Sequence, residues 1–367
     1  MTQSPHAEPG QSGGFLAEIK DAVTTRAALL VLGVLALQLA FITSYVGAFH
    51  HPKPSEIPIA VAAPAQPVAV QTAKQLSALP GKPLDPRAVQ DEATALRQIR
   101  NRDVDGALVI DPAGTTDKLL VASGAGASLS QAIEEVVGLV EKSQGRTVRI
   151  VDVAPSAAGD GRGLSSFYLV VGWCVGGYLC AAILAISAGA RPANIHRAVI
   201  RLGALLVYSI AAGLLGAVIA DPVLGALPGS IWALWGLGTL VVFAVGAITL
   251  AFQGLAGVVG IGLAILLVVV LGNPSAGGAY PYPLLPPFWK AIGPWLPPGA
   301  GTYAARSIAY FKGNDITGPL LVLSGWAVLG SAITLACAAG RRGKAGAAVG
   351  SGLPEGPDAL PEREAVR

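Results

Sequence analysis

Residues 230–272, SIWALWGLGTLVVFAVGAITLAFQGLAGVVGIGLAILLVVVLG, contain no Asp, Glu, Lys or Arg. A helix needs about 20 apolar residues to cross a bilayer, so this run is long enough for two crossings. The polar break at Phe252-Gln253-Gly254 divides it into spans near 230–251 and 255–272.

Working outward, four other stretches are equally free of charge: 27–52, 163–190, 202–220 and 316–340, while the quoted run lies within a fifth, 222–289. Each holds an apolar run of crossing length, and six spans result. Composition agrees: of 367 residues, 53% are hydrophobic and only 13% charged, a balance far from that of soluble domains. The fold expected is a polytopic α-helical membrane protein with six transmembrane helices and a small α/β extracytoplasmic domain between helices one and two. Membrane lipid is therefore one partner. The net charge of +3 is spread along the chain with no arginine stripe interleaved with aromatics, which gives no reason to expect nucleic acid.

Six spans put both termini on one side. Cytoplasmic termini place Lys20, Arg26, Arg191, Arg197, Arg201, Arg341, Arg342 and Lys344 inside, against Lys290, Arg306 and Lys312 in the short outer loops, as the positive-inside rule favours. The expectation is a multi-pass plasma-membrane protein. The first apolar run follows Lys20 and Arg26 as a signal peptide would, but its core exceeds the roughly 7–15 residues of one, so it reads as an uncleaved anchor.

The domain plan is then 1–13 disordered, 14–49 an interfacial helix and first span, 50–165 the outer domain, 166–340 five further spans with an outer re-entrant loop at 273–318, and 341–367 a disordered tail. Phe15, Leu16, Ile19 and Val23 share a face, which suits either a helix lying in the interface or an extension of the first span. In the outer domain, Ile57–Ala63, Gly106–Ile110, Lys118–Val121 and Thr147–Val153 read as strands. Asp85-Pro86 reads as the start of one helix, and Ser128–Lys142 as a second with a Ser128/Gln131 capping box. The loop 273–318 carries seven prolines from Pro281 to Pro298 among aromatics that include Phe288, Trp289, Trp295 and Tyr303. One or two short helices dipping back toward the membrane fit that pattern, provided protein shields their backbone; the alternative is a loop resting on the surface.

Catalytic chemistry is not found. The spans hold no ionisable core residue of the kind intramembrane enzymes use. No phosphate-binding loop occurs, the nearest imitation being Gly340-Arg341-Arg342-Gly343-Lys344. His50-His51 lacks a third ligand, and Cys174, Cys180 and Cys337 sit in apolar runs as small hydrophobes. No cofactor or metal is expected, and any ATP hydrolysis belongs to a partner. Gly172 and Gly176 form a Gly-x-x-x-Gly pair suited to close helix packing, within the chain or in a dimer.

Two stretches and the layout resemble a known family. Ala93–Pro112 is similar to the helix-then-strand segment of the membrane subunits of type 2 ABC exporters, in the branch related to the phage-infection protein. Leu285–Ala300 followed by Ala305-Arg306-Ser307 resembles that family's stretch between spans five and six. Phe15–Thr25 and Arg191–Arg201 occupy the places of its interfacial helix and of the cytoplasmic helix that docks on the ATPase. The resemblance implies a permease subunit of an ABC-type exporter, working as a homodimer or heterodimer with a separate ATPase and moving an amphipathic or envelope-related substrate. Arg191, Asn194, His196, Arg197 and Arg201 would face the ATPase. The alternative is a non-transporting scaffold or receptor that displays the outer domain.

Overall fold

The computed structural model describes residues 24–189 and 191–350. Helix α1 (Thr25–Phe49) begins where the Thr24 hydroxyl accepts the Ala27 N–H at 3.1 Å. The start expected to be disordered and most of the expected interfacial helix lie outside the described residues.

A mixed sheet follows: β1 (Ile57–Ala62), α2 (Gln66–Ser77), β2 (Leu84–Val89), α3 (Glu92–Asn101), β3 (Gly106–Val109), β4 (Thr116–Val121), α4 (Ala127–Ser143) and β5 (Thr147–Asp152). The strand order is β2-β1-β3-β4-β5, with only β3 and β4 antiparallel. Alternation along β1 sends Ile57, Ile59 and Val61 to one face, against α2 and α4. Ala60 and Ala62 go to the other, against Ala95 and Ile99 of α3. Leu284 joins the first of these cores and Phe311 the second, so the stretch between them grips the sheet unit from both faces.

Two expectations for this unit are corrected and one helix is added. Asp85-Pro86 lies in β2, not in a helix; Pro86 is tolerated because β2 is an edge strand. The helix starts later, where Asp91 Oδ1 accepts the Thr94 N–H at 2.7 Å. Helix α2 was not anticipated, although Pro67 in its first turn and buried Ala69, Ala73 and Leu76 at helical spacing mark it. The Ser128/Gln131 box does not cap α4, since the Ser128 hydroxyl donates to Ala279 O at 2.8 Å.

The chain then enters helices α5 (Ser165–Ala188), α6 (Ile195–Val218, extended by a π-helical turn to Val223) and α7 (Ile231–Ala256). Short apolar α8 (Val259–Ile265) runs on as a π-helix through Gly272. Helices α9 (Pro287–Ile292) and α10 (Pro297–Tyr310) come next, and α11 (Thr317–Gly350) closes the described chain. Helix α7 is the hub: its Leu234, Val241 and Val245 share one core with Val170 and Trp173 of α5, Ala304 and Ala305 of α10 and Leu323 of α11. Helix α1 stands apart, only 6% of its apolar window being buried.

Five helices are long and apolar enough to cross a membrane, which makes this a multi-pass membrane protein by length and composition. The sixth apolar helix, Val259–Gly272, is shorter; at about 1.5 Å per residue it falls short of the roughly 30 Å hydrocarbon core. The break also moves. Gln253 is fully buried within α7, and the turn falls at Gly257, whose φ of +64° suits glycine. At the other end, α11 stays helical through Gly350, where a disordered tail was expected from residue 341; residues 351–367 lie outside the described residues.

Candidate functional site

The proline-rich loop folds into α9, a 3-10 turn at Gly293–Trp295, and α10. Pro297 and Pro298 occupy the first turn of α10, where a missing N–H costs nothing. The turn packs backbone on backbone: a Cβ on Gly299 would stand 2.0 Å from Gly293 O, so only glycine fits there. Nearly all of α10 from Pro297 to Ile308 is buried.

Inside this shielded segment sits Arg306, only 3% exposed. Its Nη1 donates to Gly277 O at 2.6 Å, and its Nη2 to Gly278 O at 2.8 Å and Gly163 O at 3.1 Å. One guanidinium thus joins α10, the loop after α8 and the turn before α5. Its Nε is enclosed and has no hydrogen-bond partner.

Arg102 approaches from the sheet unit. It ends α3 in a left-handed conformation (φ +66°). Its Nη1 donates to Tyr303 O at 3.0 Å and to Ser307 Oγ at 2.7 Å, and its guanidinium lies 3.5 Å from the centroid of the Tyr303 ring, a cation–π stack. Burial pulls the Arg102 pKa down, with Tyr303 and Asp105 opposing. Asp105, in the turn after Arg102, is pushed up to about 6 by burial, against the pull of Arg102.

Tyr303 donates to Asp315 Oδ2 at 2.6 Å. Tyr310 donates to Asp160 Oδ2 at 2.5 Å, while Asp160 Oδ1 accepts the Ser165 N–H at 2.7 Å at the start of α5. The Tyr282 hydroxyl is buried without a hydrogen-bond partner. Arg102, Asp105, Tyr282, Tyr303 and Arg306 line a cavity of about 260 Å³ between the sheet unit and α10.

Of the other loop residues named from sequence, Trp289 is half-buried and its indole N–H donates to Ser44 Oγ of α1 at 3.2 Å. Phe288 and Trp295 are exposed, at 54% and 68%. Only Tyr303 and Arg306 reach the cavity. Arg102, Asp105 and Tyr282 were not singled out as site residues; the one local signal was an arginine and two acids packed into the short Arg102–Asp105 turn between helix and strand.

The basic loop lies at the far end of α5 and α6 from the sheet unit. Asn194 Oδ1 accepts the Arg197 N–H at 3.0 Å and caps α6. Residues 195–201 therefore belong to α6 itself and form no separate docking helix. Arg191, His196 and Arg197 are exposed, although Arg191 Nη2 also donates to Leu255 O at 3.0 Å. Arg201 is buried and donates to Gly189 O at 2.7 Å, so it braces the loop from inside.

Within the chain, the tightest helix approach of α5 is at a neighbouring glycine rather than at the Gly172/Gly176 pair. Gly172 faces open space and Gly176 meets only the Tyr208 hydroxyl, whereas a Cβ on Gly177 would stand 2.6 Å from Val242 O. The close approach of α5 to α7 is therefore at Gly177. Among the described residues, no group of three or more His, Cys, Asp or Glu is placed to hold a metal ion.

Comparison with protein-family models and with curated proteins finds no match for this chain. Its functional reading therefore rests on its own residues.

Proposed function

We propose that the chain is the permease subunit of an ABC-type exporter in the plasma membrane, a dimer served by a separate ATPase, moving an amphipathic or envelope-related molecule outward. In this reading both termini are cytoplasmic and the sheet unit lies outside. Val259–Gly272 completes a sixth crossing together with the buried turn at Asn273–Gly278, because helix shorter than the bilayer is tolerated where protein shields the backbone.

The observation that carries the reading is the α9–α10 segment. It lies in the helical core through Ala304, Ala305 and Ile308 and is held to the sheet unit through Arg102 and Phe311. A shape change in the helices is thereby felt outside, as alternating access requires. At the opposite end, exposed Arg191, His196 and Arg197 offer a basic surface for a soluble partner.

The test is affinity purification of the full chain from native membranes in mild detergent, with mass spectrometry of what co-elutes. A stoichiometric ATPase is expected, lost in the Arg191→Glu/Arg197→Glu double variant while the chain stays monodisperse. Reproducible absence of any ATPase overturns the exporter reading in favour of a scaffold that displays the sheet unit.

A further inference from the structure

Three voids meet around α9 and α10. The cavity of about 260 Å³ carries the charge: Arg102, Lys290 and Arg306 face it, against the carboxyls of Asp105 and Glu56. Tyr282 and Tyr303 wall both this cavity and a groove of about 540 Å³ formed with Trp295, Leu321 and Val322. Apart from Asp315 at its edge, that groove is lined mainly by apolar and aromatic side chains, and Trp295 and Leu321 on it are each 68% exposed. On the other flank, Lys290 and Glu56 are shared with a third void near His51 and Lys53.

The charged cavity is left incomplete. Buried polar groups in native proteins nearly always have partners, yet two donors belonging to residues on its wall, Arg306 Nε and the Tyr282 hydroxyl, have none. Both are donors suited to an anionic oxygen, and Arg306 is itself fixed by three backbone carbonyls, so its orientation is set before anything arrives. Preorganised guanidinium and hydroxyl donors select phosphate or carboxylate oxygens. An apolar groove directly beside such a cavity takes hydrocarbon. Alone, the charged cavity is smaller than the roughly 300–1,000 Å³ of small-molecule sites, but with the groove it falls within that range.

We propose that this composite site binds an anionic amphiphile, its phosphate or carboxylate headgroup held by Arg102, Tyr282 and Arg306 and its acyl chain lying along Trp295, Leu321 and Val322. The inference needs only that the helices sit in a membrane; it holds for an exporter and for a non-transporting scaffold alike. A free inorganic anion would use the same donors but not the groove.

The experiment is native mass spectrometry of the full chain in an uncharged detergent, titrated with phosphatidylglycerol or with phosphatidylcholine, each with and without inorganic phosphate. One phosphatidylglycerol per chain is expected, held at least about tenfold more tightly than phosphatidylcholine, because both lipids present a phosphate but phosphatidylcholine brings a choline cation beside Arg102, Lys290 and Arg306. Tyr282→Phe should weaken phosphatidylglycerol about tenfold with an unchanged melting temperature. Trp295→Ala, on an exposed side chain whose loss leaves the fold intact, should weaken the lipid severalfold while leaving displacement by inorganic phosphate in place. Equal binding of the two lipids, or phosphatidylglycerol binding indifferent to both variants, overturns the proposal. Inorganic phosphate bound as tightly as the lipid also overturns it, by reducing the site to one for a free anion. None of these results depends on whether an ATPase co-purifies.

Discussion

Arg146 and Arg306 are each held by backbone carbonyls, and each lies beside other charged groups, but they end differently. Arg146 uses every nitrogen. Its Nε donates to Asp117 Oδ2 at 2.7 Å, its Nη1 to Gly114 O at 3.1 Å, and its Nη2 to Asp111 O at 2.8 Å and to Asp117 Oδ1. Asp117 Oδ1 also accepts the Asp111 N–H at 2.7 Å. This cluster staples the β3–β4 turn to the start of β5 and leaves no nitrogen of the Arg146 guanidinium free, although the adjoining Glu141 keeps Oε2 without a hydrogen-bond partner. Arg306 is more deeply buried, yet it keeps an unpartnered Nε and faces a cavity. A guanidinium whose nitrogens are all bonded within the fold is scaffold, while one that keeps a nitrogen unpartnered beside a cavity marks a place where something else can complete the bonding.

The comparison predicts different responses to substitution. The largest effect is expected at the closed cluster: Asp117→Ala leaves the Arg146 fork and the Asp111 N–H without their acceptor, and should cost roughly 3–5 kcal/mol. Thermal unfolding of the full chain in detergent checks this. A loss below about 1 kcal/mol would show that Arg146 finds water instead, and the contrast with Arg306 would collapse. Next comes Arg306→Lys, which keeps the charge but cannot reach Gly163, Gly277 and Gly278 together; about 1.5–3 kcal/mol is expected from the lost charge-assisted bonds. A larger loss than at Asp117 would reverse the ranking and make Arg306 chiefly structural.

A smaller, pH-dependent effect belongs to Glu141, which stands 3.5 Å from Arg146 Nε. Burial, then the hydrogen bond with and repulsion from Asp117, push Glu141 up to about 7 from an ordinary 4.5. Its folded value lies above its unfolded one, so its contribution to stability is complete below about 4.5 and is lost as pH rises through about 7. Asp117 runs the other way. Burial raises it, but hydrogen bonds from Arg146 and Asp111 outweigh burial and hold it below its usual range, so its contribution is lost only as pH falls beneath that range. The melting temperature should therefore decline between pH 5 and 8, and Glu141→Gln should flatten that decline. A wild-type profile already flat over this interval would show that the carboxyl pair does not share a proton.

How much of this was legible in the sequence follows from what each feature depends on. Charge-free runs and β alternation are local and additive, so the long helices and β1, β3, β4 and β5 could be read directly. The sixth helix could not, because its length is set by where Gly257 turns the chain and by the π-helical stretch to Gly272. Pro86 misled because proline announces a helix start and an edge strand with equal force. The arginine site was half legible: Arg306 stood out in an apolar loop, whereas Arg102 comes from 204 positions earlier and meets Ser307 only through the fold. Such a pairing has no periodic signature.

The smallest effect sharpens the comparison most, since it separates a hydrogen bond that the fold uses from one it leaves unmade. The Tyr282 hydroxyl is buried with no partner. Burying an unsatisfied hydroxyl costs free energy, so Tyr282→Phe, which removes the oxygen and keeps the ring against Gly277 and Gly293, should leave stability unchanged within about 0.5 kcal/mol or raise it slightly. Tyr310, at the end of α10, is the control: its hydroxyl donates to buried Asp160, and Tyr310→Phe should cost about 1.5–3 kcal/mol by the loss of a hydrogen bond to a charged group. Melting temperatures of the two variants in one detergent decide the matter. If Tyr282→Phe destabilises as much as Tyr310→Phe, the Tyr282 hydroxyl is bonded within the protein and the cavity is as closed as the Arg146 cluster. If only Tyr310→Phe destabilises, the fold holds a donor in place that it does not itself need.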